Sequence, residues 1–358
     1  MITIKGHFNS AVVFTKKVEQ KAIDQIRTLC DQEFTKGARI RVMPDVHLGK
    51  GSTIGTTMTI EDKVVPNLVG VDIGCGLEVV KLKQKSIDLK ELDAFIYRAI
   101  PSGFKIRDNV HPFIKQINLN KLRSKKHLKI DRAEKSLGTL GGGNHFIEVN
   151  KDSEDNLYLV IHSGSRHIGL EVANYYQRLA GKGPLAYLEG KGFNDYIHDM
   201  KIIQKYAQLN RKAMIHEIVK AFNLEFVEQF TTIHNYIDTD SMILRKGAVS
   251  AKKGEKLIIP LNMKEGSLIC IGKGIKEWNY STCHGAGRVM SRNEAKKSLN
   301  LKTFRTMMEG VYTTSVGKGT LDESPEVYKP SNQIIEDIKP SVDIIEQIKP
   351  IYNFKAAN

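Results

Sequence analysis

At 358 residues, 41% hydrophobic and 26% charged, the chain reads as soluble and globular, with material for one large core or two ordinary domains. No run of about eighteen apolar residues occurs, and the opening MITIKGHFNSAVVFTKK lacks the basic, apolar and small-residue regions of a signal peptide; no membrane partner is expected, and a cytoplasmic location is. The net charge of +14 favours a polyanion such as nucleic acid, whereas four cysteines without CxxC spacing and 7% aromatics indicate no zinc ribbon, disulfide framework or RNA-recognition sheet of stacking aromatics.

Short strands are predicted at residues 1–5 and 11–14, followed by a helix over 18–30. Residues 39–82 are rich in glycine and β-branched side chains, which predicts several strands joined by tight turns, and a helix follows over 87–99. The segment 102–136 is basic and polar, either a solvated face or an RNA-contacting surface. Strand-and-glycine text returns at 137–149 and 157–172, about 168–224 reads as at least two helices, and 248–272 reads as strands. The tail carries a near-repeat, IIEDIKP then IIEQIKP, whose prolines fall after one helical turn or two. No linker or low-complexity tract divides the chain, so residues 1–358 are expected to form a single domain of mixed α and β structure.

The stretch NLVGVDIGCGLEVV sets Asp72 and Cys75 in apolar, glycine-punctuated text, where an uncompensated charge costs several kcal/mol. Five of the eleven histidines, His47, His145, His162, His234 and His284, sit beside glycines, an asparagine or a hydroxyl; the others lie in ordinary helical or loop text. One such histidine alone is more often a core residue with satisfied hydrogen bonds than a ligand. Five together are not readily explained that way. Asp72 and Cys75 with His145, His162 and His234 offer a carboxylate, a thiolate and three imidazoles, a set suited to zinc, manganese, iron or cobalt. A thiolate bridging two cations would leave open positions for phosphate oxygens. HLGKGSTIG does not fit the GxxxxGK[ST] loop of Walker-type ATPases, while LGTLGGGNH and HGAGR can cradle phosphate through backbone amides.

In order, MPDVHLGKGSTIG, VGVDIGCG, LGTLGGGNHFIEV, VIHSGSRHIG, HNY, RKGAVSA and STCHGAGRVMSR resemble the signatures of the RtcB family of GTP-dependent RNA ligases, over nearly the whole chain from Arg41 to Lys355. The resemblance implies an α+β fold particular to that family, strands and helices surrounding a deep metal-lined pocket. It implies joining of broken RNA ends, a 3′-phosphate or 2′,3′-cyclic phosphate to a 5′-hydroxyl, in tRNA splicing or RNA repair, with GTP and two Mn2+ ions as cofactors. Cys75 would be shared by both ions, one completed by His162 and His234, the other by Asp72 and His145. His284 resembles the nucleophile that takes up GMP. Asn144, His145, Glu148, His234, Asn235, Pro260, Met263, Ser267, Gly285, Ala286 and Gly287 match nucleotide contacts, Lys355 a lysine on the guanine, and Tyr328 a stacking tyrosine. An archease-like activator is a further implied partner. The chain departs from many relatives in carrying PLNMKEG at 260–266 where they have PGSMG, Leu244 where some have histidine, and His167 where glycine is usual. Two other readings are a manganese-dependent RNA phosphoesterase or nuclease on the same residues, and an idle RNA-binding scaffold.

Overall fold

The alternation of β-branched and glycine residues resolves into three sheets in the computed structural model, which describes residues 1–356. The first half contains β1 (Ile2–Lys5), β2 (Ser10–Val13), α1 (Gln20–Cys30), β3 (Ile40–His47), β4 (Ile54–Thr59), β5 (Gly76–Leu82), α2 (Leu89–Ala99), α3 (Ile130–Ser136), β6 (Phe146–Lys151) and β7 (Leu157–Ser163). Two helices follow, α4 (Arg166–Ala180) and α5 (Gly190–Ala221), then β8 (Phe226–Ile233), β9 (Asn235–Asp238), β10 (Ile243–Lys246), β11 (Ala248–Ser250), β12 (Lys256–Asn262) and β13 (Gly266–Gly272). The chain continues through β14 (Ser281–Cys283), α6 (Arg292–Ser298), α7 (Leu301–Met307), α8 (Ser331–Ile338) and β15 (Val342–Phe354). This mixed α+β architecture, with a buried His/Cys/Asp cluster able to line a pocket with metal ligands, agrees with the expected fold class.

One sheet has the order β1-β2-β3-β4-β10-β9, a second pairs β11 with β14, and the third runs β12-β13-β15-β6-β7-β5-β8. In the third, alternate residues serve two cores, as the two-residue period of a strand requires. Val80, Ile161 and Ile147 join α2 and the end of α5 on one face. Leu77, Val79 and Val160 face Ile258, Ile269 and Ile348 of β12, β13 and β15 on the other, so the sheet curls onto itself. Helix α1 buries Ala22, Ile26, Leu29 and Cys30 at helical spacing, and α2 begins where the Asp88 carboxylate accepts the N–H groups of Lys90 and Glu91.

Two local differences from the sequence reading stand out. β8, β9 and β10 occupy residues for which no element was predicted. The near-repeat splits: IIEDI lies in α8, with Ile334 and Ile338 buried four residues apart, whereas IIEQIKP lies in β15, held between β13 and β6. Pro350, which has no N–H to offer, sits where the β15–β6 register shifts.

The third sheet positions the candidate ligands at one end. Cys75 directly precedes β5, His145 directly precedes β6, His162 lies near the end of β7, and His234 directly follows β8. His162 is opposite both Leu77 and Phe146, and the His234 N–H donates to the Cys75 carbonyl at 2.9 Å. Four segments far apart in sequence therefore meet at neighbouring strand ends.

Candidate active site and metal centre

Asp72, Cys75 and His145 form one group, and Cys75, His162 and His234 another, each with its donor atoms within 4.8 Å of one another. Cys75 Sγ lies 3.5 Å from His145 Nε2 and 3.3 Å from His162 Nε2. His162 Nε2 is 3.4 Å from His234 Nε2, and His145 Nε2 is 3.1 Å from Asp72 Oδ2. The Nδ1–H groups of His145 and His162 donate to the carbonyls of Leu140 (2.9 Å) and Asn144 (3.1 Å), which leaves each Nε2 as a bare lone pair aimed inward. The cluster thus turns lone pairs, a carboxylate oxygen and a sulfur toward each other, and a single thiol proton cannot satisfy all of these contacts. Cations between them would, so the residues fit a metal centre.

The protonation preferences agree. Burial and the neighbouring Asp72 push the Cys75 thiol well above its ordinary value, so it becomes a thiolate when a cation is bound. Burial drives His162 and His234 well below the usual histidine range, keeping both neutral. Burial would raise Asp72, but its neighbours, His145 against Oδ2 and the charge of Arg166, hold the carboxyl well below the ordinary range. Asp72 Oδ1 also accepts the Ser165 N–H at 3.0 Å, an approach that requires Gly164, where a Cβ would stand 2.1 Å from that oxygen. Behind the cluster, the fully buried Arg211 donates to the carbonyls of Gly74 (2.8 Å) and Ser163 (2.9 Å), tying the Cys75 loop to the His162 strand.

The cluster opens into a cavity of about 720 Å³, within the range of small-molecule sites. Beside the cluster stands His284, directly after β14, its ring centroid 5.0 Å from that of His234. Its Nδ1–H donates to Asp45 Oδ2 at 2.6 Å, and its backbone N–H donates to the same oxygen at 3.1 Å. Asp45 is completely buried; burial raises its pKa, but the charge and hydrogen bond of His284, with His47 and Lys329, outweigh that and hold it below the usual range. Lys329 Nζ donates to the Pro44 and Val46 carbonyls, both at 3.0 Å, and the Lys329 N–H donates to the Gly287 carbonyl. At Gly287, φ is +74° and a Cβ would stand 2.4 Å from the Asp45 carbonyl oxygen, so the HGAG turn closes on the Asp45 strand only with glycine there.

Of the sequence-predicted nucleotide contacts, Asn144, Glu148, His234, Asn235, Pro260, Met263, Gly285, Ala286, Gly287, Tyr328 and Lys355 line the cavity together with His284. Ser267 is buried opposite Pro260 in the β12–β13 register and His145 sits behind Cys75; neither is on the lining. Lys355 Nζ donates to Glu323 Oε2 at 2.9 Å and Tyr328 OH to the same oxygen at 2.8 Å. Burial pushes Glu148 up to about 7, with Asn353 and Asn150 amides donating to its two oxygens. In the divergent PLNMKEG stretch, Asn262 Oδ1 accepts the N–H groups of Lys264 and Glu265, and Glu265 accepts the Ser331 hydroxyl of α8.

The sequence reading missed Asp45, Lys329, Arg211 and Glu323 as parts of the site. Asp45 carried a readable signal, an acid in the apolar MPDVH strand two residues before His47, the same anomaly as Asp72. Lys329 and Glu323 carried none, because each acts on a segment remote in sequence.

Comparison with known proteins follows the same residues. A sequence family described as tRNA-splicing ligase RtcB matches residues 25–127 and 113–356. The RNA-splicing ligase RtcB of Escherichia coli K12 is 35% identical over 346 residues, covering 83% of this chain and 85% of that one. The tRNA-splicing ligase RtcB of Aeropyrum pernix is 27% identical over 402 residues, covering 82% and 83%.

Proposed function

The chain belongs to the RtcB family of RNA-splicing ligases, and from that membership we propose that it joins an RNA 3′-phosphate or 2′,3′-cyclic phosphate end to a 5′-hydroxyl end, using GTP, two Mn2+ ions and a His284–GMP intermediate. The observation that carries the reading is the half-buried His284, held by the buried Asp45, beside a converged cluster of metal-type donors.

Asp45 holds the Nδ1–H of His284, so the free Nε2 is the atom left to attack. In the first step Nε2 bonds to the α-phosphorus of GTP and pyrophosphate leaves with the bonding pair of the broken P–O bond. The ring then carries positive charge, which the Asp45 carboxylate stabilises without taking the proton. A 2′,3′-cyclic end is first opened by water at its P–O2′ bond to a 3′-phosphate; in the second step a 3′-phosphate oxygen displaces His284 from phosphorus, giving RNA-3′-pp-G, and in the third the 5′-hydroxyl attacks the RNA 3′-phosphorus, losing its proton, as GMP leaves with the bonding pair. Manganese held by Asp72, Cys75, His145, His162 and His234 would supply Lewis-acid neutralisation of the phosphoryl oxygens. Tyr328, Lys355, Glu148 and the HGAG turn would hold the nucleotide, with Asn144, Asn235, Pro260 and Met263 completing the wall.

Incubating the purified chain with radiolabelled GTP and Mn2+ tests the reading. A covalent GMP adduct mapped to His284, lost in His284→Ala, is expected, together with joining of the two RNA ends. His284→Ala should fail on RNA 3′-phosphate but seal RNA supplied as 3′-pp-G. No adduct, with hydrolysis of phosphate ends instead, would replace the ligase by a phosphoesterase using water.

A further inference from the structure

The charge of this protein is unevenly spread. Residues 101–136, a tenth of the chain, hold ten lysines and arginines against three acids, a net of +7 and half of the overall +14. This stretch is built of 3-10 turns and α3, packed on the long helices chiefly by backbone contacts: the Asp199 carboxylate accepts the N–H groups of Arg123 and Ser124, and Glu171 accepts the N–H of Lys129, with the Arg123 guanidinium paired to Asp195 of α5 the one cation so used among the described residues. Lys125 and Lys126 point no charge at any acid among the described residues and are exposed. At the start of the same stretch Phe104 is 93% exposed, beside the exposed cations Lys105 and Arg132.

An aromatic ring this exposed is ordinarily at the tip of a loose loop, yet here the backbone is tethered on both sides. The Gly103 N–H donates to the Gly141 carbonyl at 2.8 Å, and the Leu140 N–H donates to the Pro101 carbonyl at 2.9 Å. Arg166 NH2 donates to the Gly103 carbonyl at 2.9 Å from a left-handed backbone (φ +58°), a conformation that a non-glycine residue adopts at a cost. Arg132 NH2 donates to the Phe104 carbonyl at 3.3 Å, and the Arg107 N–H donates to the Lys135 carbonyl. The anchor, Gly141, abuts the metal centre: a Cβ there would stand 2.8 Å from His145 Nδ1. Phe104 is thus an exposed ring on a tethered backbone, one residue beyond Gly103, whose partner Gly141 lies against a candidate metal ligand.

We propose that residues 101–136 are the docking surface for a single-stranded RNA end, with Phe104 stacking on a base next to the end being joined and the exposed cations, Lys105, Arg132, Lys125 and Lys126 among them, following the phosphates. A flat ring set among cations is the combination that binds single strands without reading their sequence. The inference rests on the proposed ligase function and adds where the polynucleotide lies.

The test uses the full chain, fluorescence anisotropy with a single-stranded 3′-phosphate RNA, and 2-aminopurine placed at successive positions from the end. Phe104→Ala should weaken RNA binding about 5- to 50-fold and remove quenching of one near-terminal 2-aminopurine, Phe104→Trp should restore both, and GMP transfer to the protein should stay unchanged. Lys125→Glu with Lys126→Glu should reduce the slope of log affinity against log salt by about 1 to 2. RNA affinity within twofold of the unaltered chain for Phe104→Ala, or an unchanged salt slope for the double variant, would overturn the proposal. Because GMP transfer needs no RNA, its absence in the unaltered chain would count against the ligase reading instead.

Discussion

The two histidine-bearing walls of the cavity differ in one partner. At the candidate metal wall, His145 and His162 give their Nδ1–H to backbone carbonyls, which are neutral and turn each Nε2 toward the cluster. At the wall of the proposed nucleophile, His284 gives its Nδ1–H to a buried carboxylate, Asp45. A carbonyl orients a ring. A carboxylate would also stabilise the positive charge formed in the proposed bonding of Nε2 to phosphorus. The carbonyl-held rings of His145 and His162 and the carboxylate-held ring of His284, which touches the cluster through His234 at a centroid separation of 5.0 Å, are thereby suited to the different chemistry proposed for them, metal binding and nucleophilic attack.

Removing the thiol shared by both metal groups should have the largest effect. Cys75→Ala is expected to lose both ions in metal analysis and to abolish joining by on the order of 10⁴-fold or more, on plain and on pre-activated 3′-pp-G RNA alike. Two tightly held ions surviving in that variant would end the bridging role. The complementary change, Asp45→Asn, should leave metal content intact and slow GMP transfer to His284 by about 10³-fold, while sealing of 3′-pp-G RNA persists. Equal loss on both RNAs would mean that the walls do not divide the work as described.

Smaller effects belong to the nucleotide side between the walls. Lys355→Ala should raise the GTP concentration needed for half-maximal GMP transfer by about tenfold, from loss of one charged contact, with the metals in place. Glu148 should show itself in stability. Its pKa of about 7 in the folded chain exceeds the ordinary 4.5, so between those values the folded chain keeps a proton that the unfolded chain has lost. Stability contributed by that proton is therefore complete below about pH 4.5 and disappears as pH rises through about 7. Glu148→Gln should flatten this dependence, by roughly 1–3 kcal/mol across pH 5 to 8 in denaturant titrations; identical slopes for the two proteins would show that Glu148 ionises freely.

How much was legible depended on whether the signal was local. Helix α1 was readable because its apolar spacing and its burial coincide, and α4 and α5 because the polar text between 168 and 224 is long and helical. The near-repeat shows the limit. Six of seven residues in IIEDIKP and IIEQIKP are shared, the single difference being Asp337 against Gln347, yet IIEDI of the first copy is in helix α8 and the second copy is in strand β15. Ile334 and Ile338 bury on one helical face, while Ile344 and Ile348 are held by backbone pairing to Cys270 and Ser267. The neighbours available to each copy, not its own preference, decide the conformation.

The sequence by itself determined the kinds of donor, the glycines beside them, the excess positive charge and the motif order that carries the family resemblance, because these are properties of residues and their near neighbours. Only the tertiary structure decided which donors meet. Cys75, His145, His162 and His234 come together because β6, β7, β5 and β8 lie side by side, and Asp45 finds His284 across 239 positions. Lys329 brackets Asp45 from a distance of more than 280 residues in the chain. Strand order and register are set by burial on both faces of a curled sheet, a cooperative result of the whole chain that no single segment encodes.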